Sequence, residues 1–189
     1  TGAGFLVEPE RTGAVAQMYD AEQERQGYVA NLTRVWAQSP EALAVLSHAL
    51  GLAHALAGVG DAERALLTTA TASTTGDAYC SLVWGTKLAR SVGEEVTAGL
   101  IRGEDDLLGE RGLALAGWAR QLVRDPSGTT VEEVDGLRAL GYSDQQVFGL
   151  TLFVALRQAF STVNDALGAT PDAGLVVPGA VGDAVDFGR

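Results

Sequence analysis

The chain has 189 residues, of which 47% are hydrophobic, and its formal net charge is −11 at pH 7. This length fits one domain that buries roughly 70% of the surface exposed by its unfolded chain. The negative charge argues against binding nucleic acid or an anionic membrane. No apolar run approaches the roughly 18 residues of a membrane span. The single cysteine excludes an intrachain disulfide framework. A reducing, cytoplasmic setting is therefore expected.

Apolar spacing predicts helices along almost the whole chain. Ser39-Pro40-Glu41 is a strong helix start, with serine as N-cap and proline in the first turn. Capping-box spacing begins at Thr130 and again at Ser143. The predicted helices span residues 13–26, 28–38, 40–56, 61–75, 77–90, 91–101, 109–124, 130–141 and 143–167. Because strand alternation is hinted at only over residues 175–177, the chain is predicted to be all-α.

The predicted helix 143–167 is the most apolar of the set, which makes it a candidate for a central or interface helix. The residues after Gly168 include two prolines and several glycines. They are expected to form an extended arm, either mobile or laid across a neighbouring subunit. The predicted organisation is a single helical domain over residues 1–168 followed by a C-terminal arm over residues 169–189.

The stretch 61–90 is where the sequence itself offers chemistry. It is typical of a helix opened by Asp61, a break at Thr75-Gly76 and a second helix opened by Asp77 as N-cap. Cys80, the single cysteine, lies three residues past that cap. A thiol in the first turn of a helix lies near the positive end of the helix dipole, which favours the thiolate.

The same stretch resembles the core of the alkylhydroperoxidase D and carboxymuconolactone decarboxylase family, most closely its uncharacterised peroxidase-related branch. That core reads Arg-Glu, a hydrophobic helix, and then Cys-x-x-Cys-x-x-x-His. In an alignment without gaps, Arg64 takes the place of the family's arginine and Cys80 that of its second cysteine. The family's glutamate, first cysteine and histidine fall on Ala65, Asp77 and Trp84.

The resemblance extends over most of the chain in the same order. Further matching stretches are Gly27-Tyr28-Val29-Ala30-Asn31, Ser39-Pro40-Glu41, Arg124-Asp125-Pro126 and Asp165-Ala166-Leu167-Gly168. It implies an alkylhydroperoxidase D-like helical bundle that assembles as a homo-oligomer, whether dimer, trimer or hexamer.

In the resembling enzymes, one cysteine attacks the peroxide and becomes a sulfenic acid, and the second closes a disulfide while Glu and His relay protons. The resemblance thus implies peroxiredoxin-type antioxidant activity, here at most that of a one-cysteine peroxidase. Cys80 would be the peroxidatic thiol, and an external thiol reductant is needed because Asp77 cannot resolve a sulfenic acid. The charge of Asp77 should raise the thiol pKa, unless its carboxylate is occupied in capping the helix.

Two alternatives stay open. One is a non-catalytic oligomeric helical module that binds an apolar small ligand in a pocket near Tyr79, Trp84 and Ala65, with Cys80 as a small buried hydrophobe. The other is a carboxymuconolactone-decarboxylase-like lyase, which needs two convergent proton-transfer groups. No cofactor and no metal site are expected, since the two histidines lie six residues apart on one predicted helix and cannot chelate one ion.

Overall fold

The computed structural model describes residues 4–175 and 177–188. These residues form helices joined by short connections, and no strand occurs among them. The helices are α1 Gly13–Gln26, α2 Asn31–Trp36, α3 Pro40–Ala57, α4 Asp61–Thr75, α5 Ala78–Val92, α6 Glu94–Arg102, α7 Glu110–Arg124, α8 Val131–Ala139, α9 Asp144–Ala166 and α10 Ala180–Ala184, with a 3-10 turn at Pro126–Gly128. The all-α prediction is confirmed.

The capping signals read from the sequence are found where they were expected. The Ser39 hydroxyl accepts the Ala42 N–H at 3.2 Å at the start of α3. Thr130 and Ser143 each form a capping box, in which the side chain of the residue three positions later accepts the cap's own N–H. Both contacts are local in sequence, which is why the sequence predicts them well.

Two helices begin three residues later than predicted, whereas the other predicted helix ends lie within two residues of the observed ones. The helix predicted from residue 28 begins at Asn31, since the buried carboxylate of Glu22 accepts the Ala30 N–H at 3.1 Å and holds that residue extended. The boundary predicted near residue 91 lies at Gly93, whose φ of +92° ends α5 and starts α6.

The centre of the fold is α4, which packs against α5, α6, α7 and α9. Every residue from 65 to 72 is buried, so this helix is enclosed on all sides. The hydroxyls of Thr68 and Thr71 donate to the carbonyls of Arg64 and Leu67 on the preceding turn, which satisfies them inside the core.

Helix α9 is the longest described helix and packs along α3. Gly149, near the start of α9, meets the end of α3 so closely that a Cβ there would lie 2.3 Å from the Ala57 nitrogen. Trp36, just ahead of α3, bonds Asn164 near the end of α9, so the two helices run antiparallel. By length and composition α9 alone among the described helices could cross a membrane, but its buried face belongs to the core, as in a core helix of a globular protein.

The acidic turn after α6 is tied into the fold rather than left open. Both oxygens of Asp105 accept hydrogen bonds from the largely buried Arg120 guanidinium, at 2.9 and 3.1 Å. Arg120 also donates to the Leu100 carbonyl and the Thr74 hydroxyl. This arginine therefore joins α7 to α4 and to the end of α6.

The described part of the C-terminal segment, for which an extended arm over residues 169–189 was predicted, lies against its own chain and contains the short helix α10. Val181 and Ala184 of α10 pack against Ala98 and Ile101 of α6. Asp172 accepts the Asn31 N–H at 2.8 Å and the Tyr79 hydroxyl. Val176, in the hinted strand, and the last residue lie outside the described residues.

Candidate functional site

The thiol of Cys80 lies in the first turn of α5, as the sequence predicts, but inside the protein. Asp77 is the N-cap of this helix, and its Oδ1 accepts the Cys80 N–H at 2.8 Å. Asp77 is 0% exposed and Cys80 3% exposed. Asp77 therefore caps α5, and, besides burial, its carboxylate still contributes to raising the pKa of the Cys80 thiol.

Polar side chains from α9 enclose the thiol. Arg157 directs Nη2 to Sγ at 3.2 Å, and the Asn164 Nδ2 lies 3.8 Å from the same sulfur. The Oδ1 of Asn164 accepts the indole N–H of Trp36 at 2.9 Å, which fixes the orientation of the amide. Cys80 therefore lies in a buried polar cluster between α5 and α9.

This environment keeps the thiol protonated. Burial raises the pKa of Cys80 well above its ordinary value of 9.0. The Arg157 guanidinium lowers this pKa and the Asp77 carboxylate raises it, and both effects are smaller than that of burial. The thiolate expected from the helix dipole is thus not favoured.

A separate pocket opens between α4 and α5 beside Trp84. Its volume is about 470 Å³, and Ala65 and Trp84 form apolar parts of its wall. The remaining lining residues are polar or charged: Asp61, Arg64, Lys87, Arg90 and Ser91. Two positions that the resemblance aligns with catalytic groups therefore line one pocket.

Cations surround the indole ring of Trp84. The Lys87 Nζ lies 4.0 Å from the ring centroid, and the Cζ atoms of Arg64 and Arg157 lie 5.2 and 5.5 Å from it. Such contacts contribute about 0.5–2 kcal/mol each, depending on how far the cation is desolvated. Trp84, which the resemblance aligns with the family's histidine, is thus an aromatic partner for positively charged side chains.

The predicted site residues fall into three places. Cys80 and Asp77 share the buried cluster, whereas Ala65 and Trp84 line the pocket. Tyr79 belongs to neither, since it is buried and its hydroxyl donates to Asp172 of the C-terminal segment. Arg157 contacts both the thiol and the Trp84 ring and so stands between cluster and pocket.

Metal-ligating groups do not converge within the part of the chain that the structure describes. His54 bonds the Val59 carbonyl at 2.9 Å and lies beside the Phe153 ring. His48 is exposed on the same helix. The two histidines thus have separate surroundings.

Sequence reasoning missed the importance of Arg157 and Asn164. The signal was present: both continue the apolar stripe that runs through Leu150 and Phe153 on α9. A charged or amide side chain in such a stripe is desolvated when the helix packs, and it needs a polar partner. Here the partners are the thiol of Cys80 and the indole N–H of Trp36.

No protein-family profile matches the sequence, and no curated protein matches it. Solved structures do match. One is an alkylhydroperoxidase AhpD core, described as an uncharacterized peroxidase-related protein from Ralstonia eutropha JMP134. It is 16% identical to this chain, the match covers 93% of this chain and 95% of its own, and the TM-score is 0.76. An uncharacterized peroxidase-related protein from Silicibacter sp. TM1040 is 17% identical over the same shares, with a TM-score of 0.79.

A third match is the debrominase Bmp8, solved as a variant in complex with 2,3,4-tribromopyrrole. It is 15% identical over 98% of this chain and 96% of its own, with a TM-score of 0.70. Likeness at these identities establishes the class of fold: this chain is an alkylhydroperoxidase D-like helical bundle. The resemblance read from the sequence is confirmed at that level.

Proposed function

We propose that this protein binds a small molecule in the Trp84 pocket and does not reduce hydroperoxides through Cys80. The observation that carries the proposal is the burial of the thiol, which is 3% exposed and lies beneath Arg157 and Asn164. Peroxide reduction needs an accessible thiolate. A buried thiol whose pKa is raised meets neither condition.

The groups that would complete a peroxidase site are also replaced. Asp77 cannot form a disulfide with Cys80, and its Oδ1 is engaged in capping α5. Ala65 and Trp84 cannot transfer protons, although they stand where the family's glutamate and histidine align. A lyase would need two convergent proton-transfer groups, and these two aligned positions supply none.

The pocket supports a binding role. A volume of about 470 Å³ is within the usual range for small-molecule sites. The indole of Trp84 offers a flat wall, and the small side chain of Ala65 leaves room beside it. The debrominase complex with 2,3,4-tribromopyrrole adds support, since a protein of this fold holds a small planar aromatic molecule.

One contact favours a second candidate, a one-cysteine peroxidase. The Arg157 guanidinium lies 3.2 Å from Sγ and would stabilise a thiolate once formed. Peroxide access would then require Arg157 to leave the thiol, and an external thiol reductant would have to regenerate Cys80 from the sulfenic acid.

Intact-mass spectrometry during titration with cumene hydroperoxide tests the choice between them. We expect the native protein to gain no oxygen on Cys80 at excess peroxide, whereas the urea-unfolded protein, whose thiol is accessible, is oxidised by the same peroxide. Cys80→Ser is the control for oxidation elsewhere. A rapid, stoichiometric oxygen adduct on native Cys80 would establish the peroxidase instead. Dimedone should trap this sulfenic acid in one sample, and a thiol should reduce it back to Cys80 in another.

A further inference from the structure

Four cations of this acidic protein gather at one pocket, and three of them lie over the ring of Trp84. Arg64 of α4, Lys87 and Arg90 of α5, and Arg157 of α9 all lie at the Trp84 pocket or in contact with the Trp84 ring. Arg90 and Lys87 are exposed, Arg64 is half-buried and Arg157 is buried. The positive charge therefore runs from the mouth of the pocket to the interior.

The ion pairs of the rest of the chain make this cluster unusual. Seven described arginines form ion pairs with aspartate or glutamate: Arg11, Arg25, Arg34, Arg102, Arg111, Arg120 and Arg138. Within the described residues, the cations that form none are the four of the cluster and Arg124. In a chain of net charge −11, carboxylates are plentiful, yet none among the described residues forms an ion pair with the four clustered cations.

The cluster also contains unsatisfied donors. The Nε atoms of Arg64 and Arg157 are buried and have no hydrogen-bond acceptor among the described residues. Leaving such donors unpaired costs free energy that an oxygen acceptor would recover. The pKa of Lys87 is lowered by desolvation and then by the neighbouring arginines, which is the response of an ammonium group short of negative charge.

One carboxylate does line the pocket. Asp61, the first residue of α4, is exposed at the rim and makes no ion pair with Arg64, Lys87 or Arg90. Asp61 lies at the positive end of the α4 dipole, where an acidic side chain stabilises the helix. It therefore does not neutralise the cluster.

We infer that the ligand of the Trp84 pocket is a small organic oxyanion. Its carboxylate or phosphate would lie against Lys87, Arg64 and Arg90, and its apolar body against Trp84 and Ala65. This inference rests on the proposed function and adds the chemical class of the ligand. Guanidinium and ammonium groups are the side chains that proteins use to bind carboxylates and phosphates.

A macromolecular anion is the weaker alternative. The pocket is a concavity of about 470 Å³, and the chain around it is strongly acidic, so an extended nucleic acid would meet repulsion beyond the pocket. A compact anion enters the cluster without approaching that surface.

Isothermal titration calorimetry with matched ligands tests the inference. We expect 1-naphthoate and phenyl phosphate to bind at least about tenfold more tightly than 1-naphthamide and phenol, and sodium chloride to weaken only the anions. Inorganic phosphate should bind more weakly than phenyl phosphate because it lacks the body that contacts Trp84.

Variants locate the binding. Lys87→Gln and Arg90→Gln should each weaken 1-naphthoate binding by about tenfold. Lys87→Arg, which keeps the positive charge, should retain most of the native affinity. Arg124→Gln is the matched control, since Arg124 is an exposed cation at the end of α7 that forms no ion pair with any described residue. Circular dichroism spectra of all variants show whether they fold.

The possible failures are distinct. Suppose that 1-naphthoate and 1-naphthamide bind equally, and that this binding is unaffected by Lys87→Gln but lost in Trp84→Leu. This result would overturn the inference that the ligand is an anion and would leave the proposed binding function standing. Binding by none of the four aromatic ligands would overturn both. Inorganic phosphate that binds as tightly as phenyl phosphate would overturn the role of the apolar wall.

Discussion

At the scale of single residues, Cys80 shows how two physical effects compete. A helix N-terminus stabilises a nearby negative charge by about 0.3–1 kcal/mol at an exposed position. Complete burial shifts a pKa by up to several units, each worth about 1.4 kcal/mol. Cys80 is 3% exposed, so burial outweighs the dipole and the thiol pKa rises. The position along the helix was predictable, whereas the sequence left burial of the thiol as one of two alternatives, and the structure shows that the thiol is buried.

This pKa shift has a consequence for stability. Below the ordinary thiol pKa of 9.0, Cys80 carries its proton in both the folded and the unfolded chain. Above 9.0 the unfolded thiol ionises while the folded thiol, whose pKa is raised, does not. The free energy of unfolding should therefore fall by up to about 1.4 kcal/mol per pH unit from Cys80 alone as the pH rises from 9 towards the folded-state pKa.

Urea unfolding at several pH values between 8 and 10.5 measures this slope, and Cys80→Ser is the control because serine does not ionise. The raised pKa values of Tyr19 and Tyr142, both about 12, act equally in both proteins and cancel in the comparison. The two proteins should differ in slope above pH 9. Parallel curves would mean that the folded thiol ionises as readily as the unfolded one.

At the scale of helices, the contact between α3 and α9 depends on one missing side chain. Gly149 lies against the backbone of Leu56 and Ala57, and a Cβ would come within 2.3 Å of a backbone nitrogen. Backbone atoms cannot rotate aside as a side chain can, so a larger residue must push the helices apart. Gly136 in α8 differs, since a Cβ there would meet nothing within 4 Å.

The two glycines form a matched test. Gly149→Ala should lower the free energy of unfolding by about 1–3 kcal/mol through overpacking. Gly136→Ala should raise it by up to about 1 kcal/mol, because alanine is the better helix former at an open position. Chemical denaturation of both variants gives the values. Equal effects at the two positions would show that α3 and α9 are not held in close contact.

The helices also show how much of the fold a sequence reveals. The starts at Ser39, Thr130 and Ser143 were predicted because a cap depends on residues within one turn. The start at Asn31 was missed because it depends on Glu22, which is contributed by a different helix.

The pocket was foreseen only in part, for the same reason. Ala65 and Trp84 could be placed by alignment, whereas the cations around the ring come from α4, α5 and α9 and meet only after folding.

At the scale of the whole molecule, α3 presents an apolar surface that the described residues leave exposed. Of its 18 residues only Leu50, Ala53 and Ala57 are buried. Val45 and Leu52, seven residues apart on one face, are 65% and 54% exposed. A second copy of the chain would remove this surface from water, in keeping with the homo-oligomer that the family resemblance implies.

We expect light scattering coupled to size-exclusion chromatography to give a mass of at least twice 19.6 kDa. Val45→Glu/Leu52→Glu should shift the protein towards the monomer, because burying two carboxylates at an apolar interface costs several kcal/mol. Leu107→Glu/Val131→Glu is the matched control, since these residues are exposed to a similar extent, 64% and 63%, and the added charge is the same. A wild-type mass of 19.6 kDa, or equal dissociation by both pairs, would show that α3 does not form the interface.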